Sequence, residues 1–219
     1  MDEFHVTVKT KPFGDGMKLY QHTDFLFLPG LNSVVGCNGS GKSTLLDLYL
    51  VPQLQDAEVE YYKYNDRRQG GSMLMDKMLN VDDDLSGLAR MVLSSEGERI
   101  VCGLEKVVMA LPSFFKSNRD KPAFLILDAI DSGMSVDEIQ EIKHLLLDVV
   151  IPDAKSRFNI DLFVVICANN YEWCNDERIH NIDITTAKTL KFKSYDDYVK
   201  QIFSSKAKKL KMRGEWQDE

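Results

Sequence analysis

Gly36-Cys37-Asn38-Gly39-Ser40-Gly41-Lys42-Ser43-Thr44 follows a strand, Leu31 to Val35, that ends in the hydrophobic run Val34-Val35, and leads into a segment of helical periodicity that starts at Lys42. The stretch has the form G-x-x-x-x-G-K-[ST], a loop between strand and helix whose chemistry suits phosphate. Its glycines let successive backbone N–H groups converge on one point, and the helix behind them adds the positive end of its dipole. Lys42 carries a mobile cation toward β- and γ-phosphates, and the Ser43 hydroxyl is the expected protein ligand of Mg²⁺. The context implies a nucleoside triphosphate site built by Gly36, Asn38, Gly39, Ser40, Gly41, Lys42, Ser43 and Thr44. The helix that starts at Lys42 is expected to run to about Tyr49 and to stop at Pro52.

Two more segments set the architecture. Phe124-Leu125-Ile126-Leu127 is continuously apolar and closes on Asp128, the pattern of a strand buried on both faces with a carboxylate at its carboxyl end. Ligands of open parallel sheets sit at such ends, and an aspartate placed there holds Mg²⁺ directly or through water. Leu162 to Ile166 is a second strand of this kind, ending at Cys167-Ala168-Asn169-Asn170. Between them Ser135-Val136-Asp137-Glu138 is a capping box opening a helix with Val136, Ile139, Ile142, Leu145, Leu146 and Val149 on one side, expected to stop before Pro152. A strand, helix and strand in this order predict a right-handed parallel crossover.

Upstream, Phe4 to Val8 and Lys18 to Leu28 alternate as antiparallel strands around the turn at Gly14-Asp15-Gly16, and Val59 to Tyr64 is a further strand. Met73 to Leu79 reads as a short helix, and Asp82-Asp83-Asp84 as a solvated loop or helix start. Downstream, Ile182 to Thr185 and Thr189 to Phe192 form a closing hairpin. Ser194 and Asp197 then cap a last helix through Tyr195, Tyr198, Val199, Ile202 and Phe203. The expected fold is α/β, of the phosphate-loop NTPase kind: a mixed, mostly parallel central sheet flanked by helices, with an antiparallel N-terminal β subdomain, residues 1–219 forming one domain.

Composition narrows the function classes. No apolar stretch approaches the roughly 20 residues of a membrane span, and Met1-Asp2-Glu3-Phe4 is acidic where a signal peptide would be basic; a cytoplasmic chain without membrane insertion is expected. Cys37, Cys102, Cys167 and Cys174 lack paired spacing, so reduced thiols are expected and zinc is not. A net charge of −7 argues against a general nucleic-acid footprint. The Lys-rich C-terminal tail, Lys200, Lys206, Lys208, Lys209, Lys211 and Arg213, reads first as a solvated helix face and second as a DNA or RNA contact.

The segment Gly30 to Thr44 resembles the loop of ATP-binding-cassette ATPases, especially the compact head of the SMC, RecF and RecN branch. Leu93-Ser94-Ser95-Glu96-Gly97-Glu98 is similar to that family's signature motif, and Leu127-Asp128-Ala129-Ile130-Asp131-Ser132-Gly133 looks like its second nucleotide motif and D-loop. The three occur in the family's order, with about residues 53–95 as the helical and signature-bearing insertion. The resemblance implies ATP and Mg²⁺ as cofactors, with Ser43 and Asp128 on the metal. It further implies a head-to-tail pairing, as a homodimer or with a related subunit, in which Ser95 and Gly97 close in trans on the other chain's nucleotide. No guanine-reading N-K-x-D motif is evident. For the adenine, Phe13, Tyr20 and Phe25 are the aromatic candidates; Gln53 or Gln69 could serve as the glutamine that contacts metal or water. The interval from Thr44 to Ser94 is too short for a coiled-coil arm.

Departures from the family pattern bear on chemistry. The glutamate that usually follows the metal-binding aspartate is replaced by Ala129, whose methyl group accepts no proton. Asn169, with Asn170 as fallback, stands where a switch histidine normally meets the γ-phosphate. Asp131, three residues after Asp128, is the nearby carboxylate that could stand in, with Glu98 or an outside partner as the other routes to the water. Losing a positioned base costs about 10²- to 10⁴-fold in rate. Two functions therefore compete: an ATP-dependent dimerising switch with slow or impaired hydrolysis, in a DNA-associated process, and a fully active ATPase using a non-standard acid. A transporter's nucleotide-binding subunit is a third.

Overall fold

The structure, a computed structural model, describes residues 1–13, 18–65, 96–130 and 134–213. Six strands form one sheet: β3 (Gly30–Val35), β4 (Glu60–Asn65), β5 (Ala123–Asp128), β6 (Leu162–Ala168), β7 (Ile179–Asp183) and β8 (Thr189–Leu190), in the order β4-β5-β6-β3-β7-β8. All neighbours are parallel except β7 and β8. A separate antiparallel pair, β1 (Phe4–Thr7) and β2 (Asp24–Phe27), lies over one face.

Period-two alternation explains why the inner strands are apolar throughout. Leu125 and Leu127 of β5, with Leu162, Val164 and Ile166 of β6, pack against α3 (Glu96–Ser117), α4 (Val136–His144) and α5 (Ile151–Phe158). Phe124, Ile126, Phe163 and Val165 turn the other way, onto Phe4, Val6, Phe25 and Phe27 of the β1–β2 pair and onto α1 (Lys42–Leu45) and its continuation α2 (Val51–Asp56). There Phe124 and Phe163 stack with centroids 4.5 Å apart, and the edge of Phe4 meets Phe124 at 5.2 Å. Helix α6 (Tyr195–Arg213) joins the first core through Tyr198. The α/β architecture with its antiparallel N-terminal pair is as expected.

The two helix ends expected at prolines are not ends. Between α1 and α2 the turn Leu46–Leu50 is widened, with Val51 N–H reaching back five residues to Leu46 O, and the helix then continues through Pro52 to Asp56. The same device joins α4 to α5: Leu145–Val150 is widened, Ile151 N–H bonds to Leu146 O, and Pro152 is followed by helix to Phe158. A proline lacks an N–H and its ring collides with the carbonyl four residues earlier; an extra residue in the preceding turn displaces that carbonyl and removes both objections.

Other boundaries differ as well. Of Lys18 to Leu28 only Asp24–Phe27 is strand. The closing hairpin exists, but β7 begins at Ile179 and is an inner strand parallel to β3, and β8 spans only two residues. Val136 at the start of α4 and Val149 in the widened turn before α5 face solvent. The capping box is present, with Ser135 N–H donating to Glu138 Oε2 at 2.7 Å, and Asp197 N–H donates to Ser194 Oγ at 3.3 Å at the start of α6. Residues 53–65 of the interval after the loop form helix and edge strand of the main sheet. Gln69, the 73–79 segment, Asp82 to Asp84, Ser95 and Asp131 lie outside the described residues.

Candidate nucleotide site

Strand β3 is central and buried, so the chain leaves it at Gly36 in the middle of the sheet's carboxyl edge. Gly36 is required by space: a Cβ there would lie 2.3 Å from Ile184 Cγ2 and 2.9 Å from Ser40 Oγ. Gly41 is required by conformation and space together, with φ +98° and Tyr20 Oη 3.1 Å from its would-be Cβ. Tyr20 is fully buried and donates to Gly41 O at 2.9 Å. Burial also raises its phenol far above the ordinary range, which keeps it a donor. The loop's entry and exit are thus clamped from the protein side.

Lys42 is buried, and its Nζ donates to Gly36 O at 2.7 Å and to Cys37 O at 3.4 Å. The ammonium is held against the loop's own carbonyls. Ser43 Oγ donates to Asp128 Oδ1 at 3.2 Å, so the end of β5 meets the start of α1 although β6 stands between β5 and β3 in the sheet. Two hard oxygens at this separation, one a buried carboxylate, suit a small divalent cation that keeps most of its waters. Both sit on a cleft of about 450 Å³ that is also lined by Phe13, Asn38, Gly39, Thr44, Ala129 and Asn169.

The cleft sorts the alternatives. Phe13 lines it and is 41% exposed, whereas Tyr20 and Phe25 are fully buried in the core beneath it. Asn169 lines it, while Asn170 spends its carboxamide oxygen on Glu172 N–H at 3.1 Å, opening the short turn Tyr171–Trp173. Gln53 is engaged elsewhere: its amide both accepts from Thr7 N–H at 2.9 Å and donates to Thr7 O at 2.8 Å, extending β1 like an added strand residue. Gly97 falls in the first turn of α3. Ala129 has φ +57°, a left-handed conformation that costs a residue with a side chain about 1 kcal/mol or more.

Sequence reasoning missed the part played by α6. Ser205 is fully buried, and its Oγ accepts from Cys37 N–H at 3.4 Å. Lys209 donates to Asn38 O at 3.0 Å, and Lys208 approaches buried Asp183 at 3.5 Å. Two lysines of the basic tail therefore face the loop and the sheet end instead of solvent. The small residues Ser204, Ser205 and Ala207 among the lysines were the available signal for close approach. Among the described residues no helix is long and apolar enough to cross a membrane.

No protein-family model and no curated protein sequence matches the chain. Among solved structures it is similar to the ADP conformation of MJ1267, an ATP-binding cassette of an ABC transporter, with a TM-score of 0.51 and 11% identity over 97% of this chain and 98% of that one. The fold is that of an ATP-binding cassette.

Proposed function

We propose that this chain binds Mg·ATP in the cleft between the 36–44 loop and Asp128, and acts as a nucleotide-dependent dimerising switch with impaired hydrolysis. The observation that carries the reading is the meeting of Lys42, Ser43 and Asp128 on one cleft, with a methyl group, Ala129, at the next position. Backbone N–H groups of residues 38–44 receive the phosphates, Lys42 leaves the loop carbonyls for phosphate oxygens, and Phe13 offers its face to the adenine. Ser43 and Asp128 would hold Mg²⁺, which on binding neutralises phosphate charge. Asn169 hydrogen-bonds toward the γ-phosphate with no protonation step near neutral pH. Asp131 is the acid that could orient water in place of Ala129.

Residues 1–219 are taken as one such head, with Ser95 and Gly97 of a second copy or a related subunit covering the nucleotide. A ligand that binds the closed pair more tightly than the open one shifts the population without chemistry. Kinship with the SMC, RecF and RecN branch, and with it a DNA-associated role, is supported by the motif residues alone. The transporter reading is favoured by the likeness to a transporter's cassette. Phosphate release with and without duplex DNA separates the two.

Light scattering after size exclusion, with and without Mg·ATP, tests the proposal. The wild-type chain is expected to shift from one chain's mass to two with nucleotide; Lys42→Ala and Ser95→Arg are expected to stay single. A chain that pairs without nucleotide overturns the switch, and one that stays monomeric in every condition overturns self-pairing in favour of an unequal partner.

A further inference from the structure

Helix α6 reaches the phosphate loop from behind at two places, and the neighbouring end of β7 at a third, within little more than one turn. Ser205 Oγ meets Cys37 N–H, Lys208 anchors on Asp183 at the end of β7, and Lys209 Nζ donates to Asn38 O at 3.0 Å. The approach is close: a Cβ on Gly39 would be 3.0 Å from Lys209 Nζ, and one on Gly36 would be 3.3 Å from Ser205 Oγ. Asn38 and Gly39 also line the cleft, so the peptide between them has one side toward α6 and one toward the nucleotide. That peptide is trans, which makes its N–H point opposite to its C=O. Holding the Asn38 carbonyl against α6 aims the Gly39 N–H the other way.

The geometry points to Lys209 as a positioning residue for the triphosphate: it orients the Asn38–Gly39 peptide, and so couples nucleotide occupancy to the docking of α6 on the loop. This rests on the reading of the cleft as a nucleotide site. The ammonium also places positive charge behind the loop, which favours an incoming anion. Coupling is reciprocal: whatever loosens α6 weakens nucleotide binding by the factor with which nucleotide tightens α6. Lys206, exposed on the same helix, serves as a charge-matched control.

The test is calorimetric titration with Mg·ATP, together with amide hydrogen exchange across residues 195–213. Lys209→Ala is expected to bind about 5- to 10-fold more weakly, the size of a lost hydrogen bond from a charged, partly exposed donor. Lys209→Arg should recover to within about threefold and Lys206→Ala should stay within about twofold of wild type. Nucleotide should slow exchange in α6 of the wild type and fail to do so in Lys209→Ala. If Lys209→Ala loses the folded signal, Lys209→Gln, which keeps a donor of shorter reach, is titrated instead and is expected to fall between alanine and wild type. Equal affinity in wild type and the Lys209 variants, or α6 exchange indifferent to nucleotide, overturns the coupling while leaving the nucleotide site intact. No Mg·ATP uptake by the wild-type chain overturns the site itself, and the coupling with it.

Discussion

Ala129→Glu puts the impaired-hydrolysis reading to its most direct test. The substitution installs a carboxylate one residue after Asp128, on the rim of the cleft. Its structural cost is small: Ala129 already holds φ +57° with a Cβ in place, so glutamate inherits the same backbone strain, and the longer side chain extends from a half-exposed position into the cleft. A change in unfolding free energy within about 0.5 kcal/mol follows. The gain is the worth of a positioned base, about 10²- to 10⁴-fold, or roughly 3 to 5 kcal/mol in activation free energy. The added charge beside Asp128 repels the triphosphate, so weaker binding accompanies the faster step. Ala129→Gln has nearly the same shape without proton affinity and should show neither effect. The assay is steady-state phosphate release at saturating Mg·ATP over a series of protein concentrations, since a paired site turns over only when paired. A wild-type chain that already turns over at about 1 to 10³ per second, with no gain in the glutamate variant, refutes the reasoning and returns the chain to the active ATPases.

Two predictions concern the frame around the site. Gly36→Ala forces a methyl group to 2.3 Å from Ile184 Cγ2 at a position whose φ is not left-handed, so the penalty is steric alone; urea unfolding should register a loss of about 1 to 3 kcal/mol. Hydrogen bonds from Arg178 hold the Asp176 carboxyl down at about 2, against an ordinary value of 3.8. A depressed folded value means the contribution is complete above the ordinary value and is lost as pH falls toward about 2; with Arg178 half exposed, solvent screening holds it to about 1 kcal/mol or less. Melts from about pH 5 to about pH 2 should therefore lose less stability in Asp176→Asn than in wild type. Equal slopes would remove the pair from the acid response.

What the sequence made legible is what depends on near neighbours in the chain. The glycine spacing, Asp128 at the end of an apolar run, the Ser135–Glu138 box and the two-sided strands are local patterns, and each element stands where its pattern put it. The helices passing Pro52 and Pro152 were not legible, because a widened turn has no marker of its own and the proline alone argues for an end. Among three aromatic residues near the loop, only burial separates Phe13 at the rim from Tyr20 and Phe25 in the core. Gln53 and Lys209 were misread for a related reason: each partner lies far along the chain, at Thr7 and Asn38. A lysine in a run of lysines carries no sign of which one turns inward.

The placement of β3 has a consequence for how the molecule is made. Its flanking partners are β6 and β7, with Leu31 opposite Val164 on one side and Ile179 on the other. The strand that feeds the phosphate loop is synthesised more than a hundred residues before the two strands that flank it. Such high contact order slows folding and leaves an apolar strand unpaired during synthesis. The sheet around the 36–44 loop therefore closes only once β6 and β7 have been made, so the frame of the cleft is assembled after the loop itself.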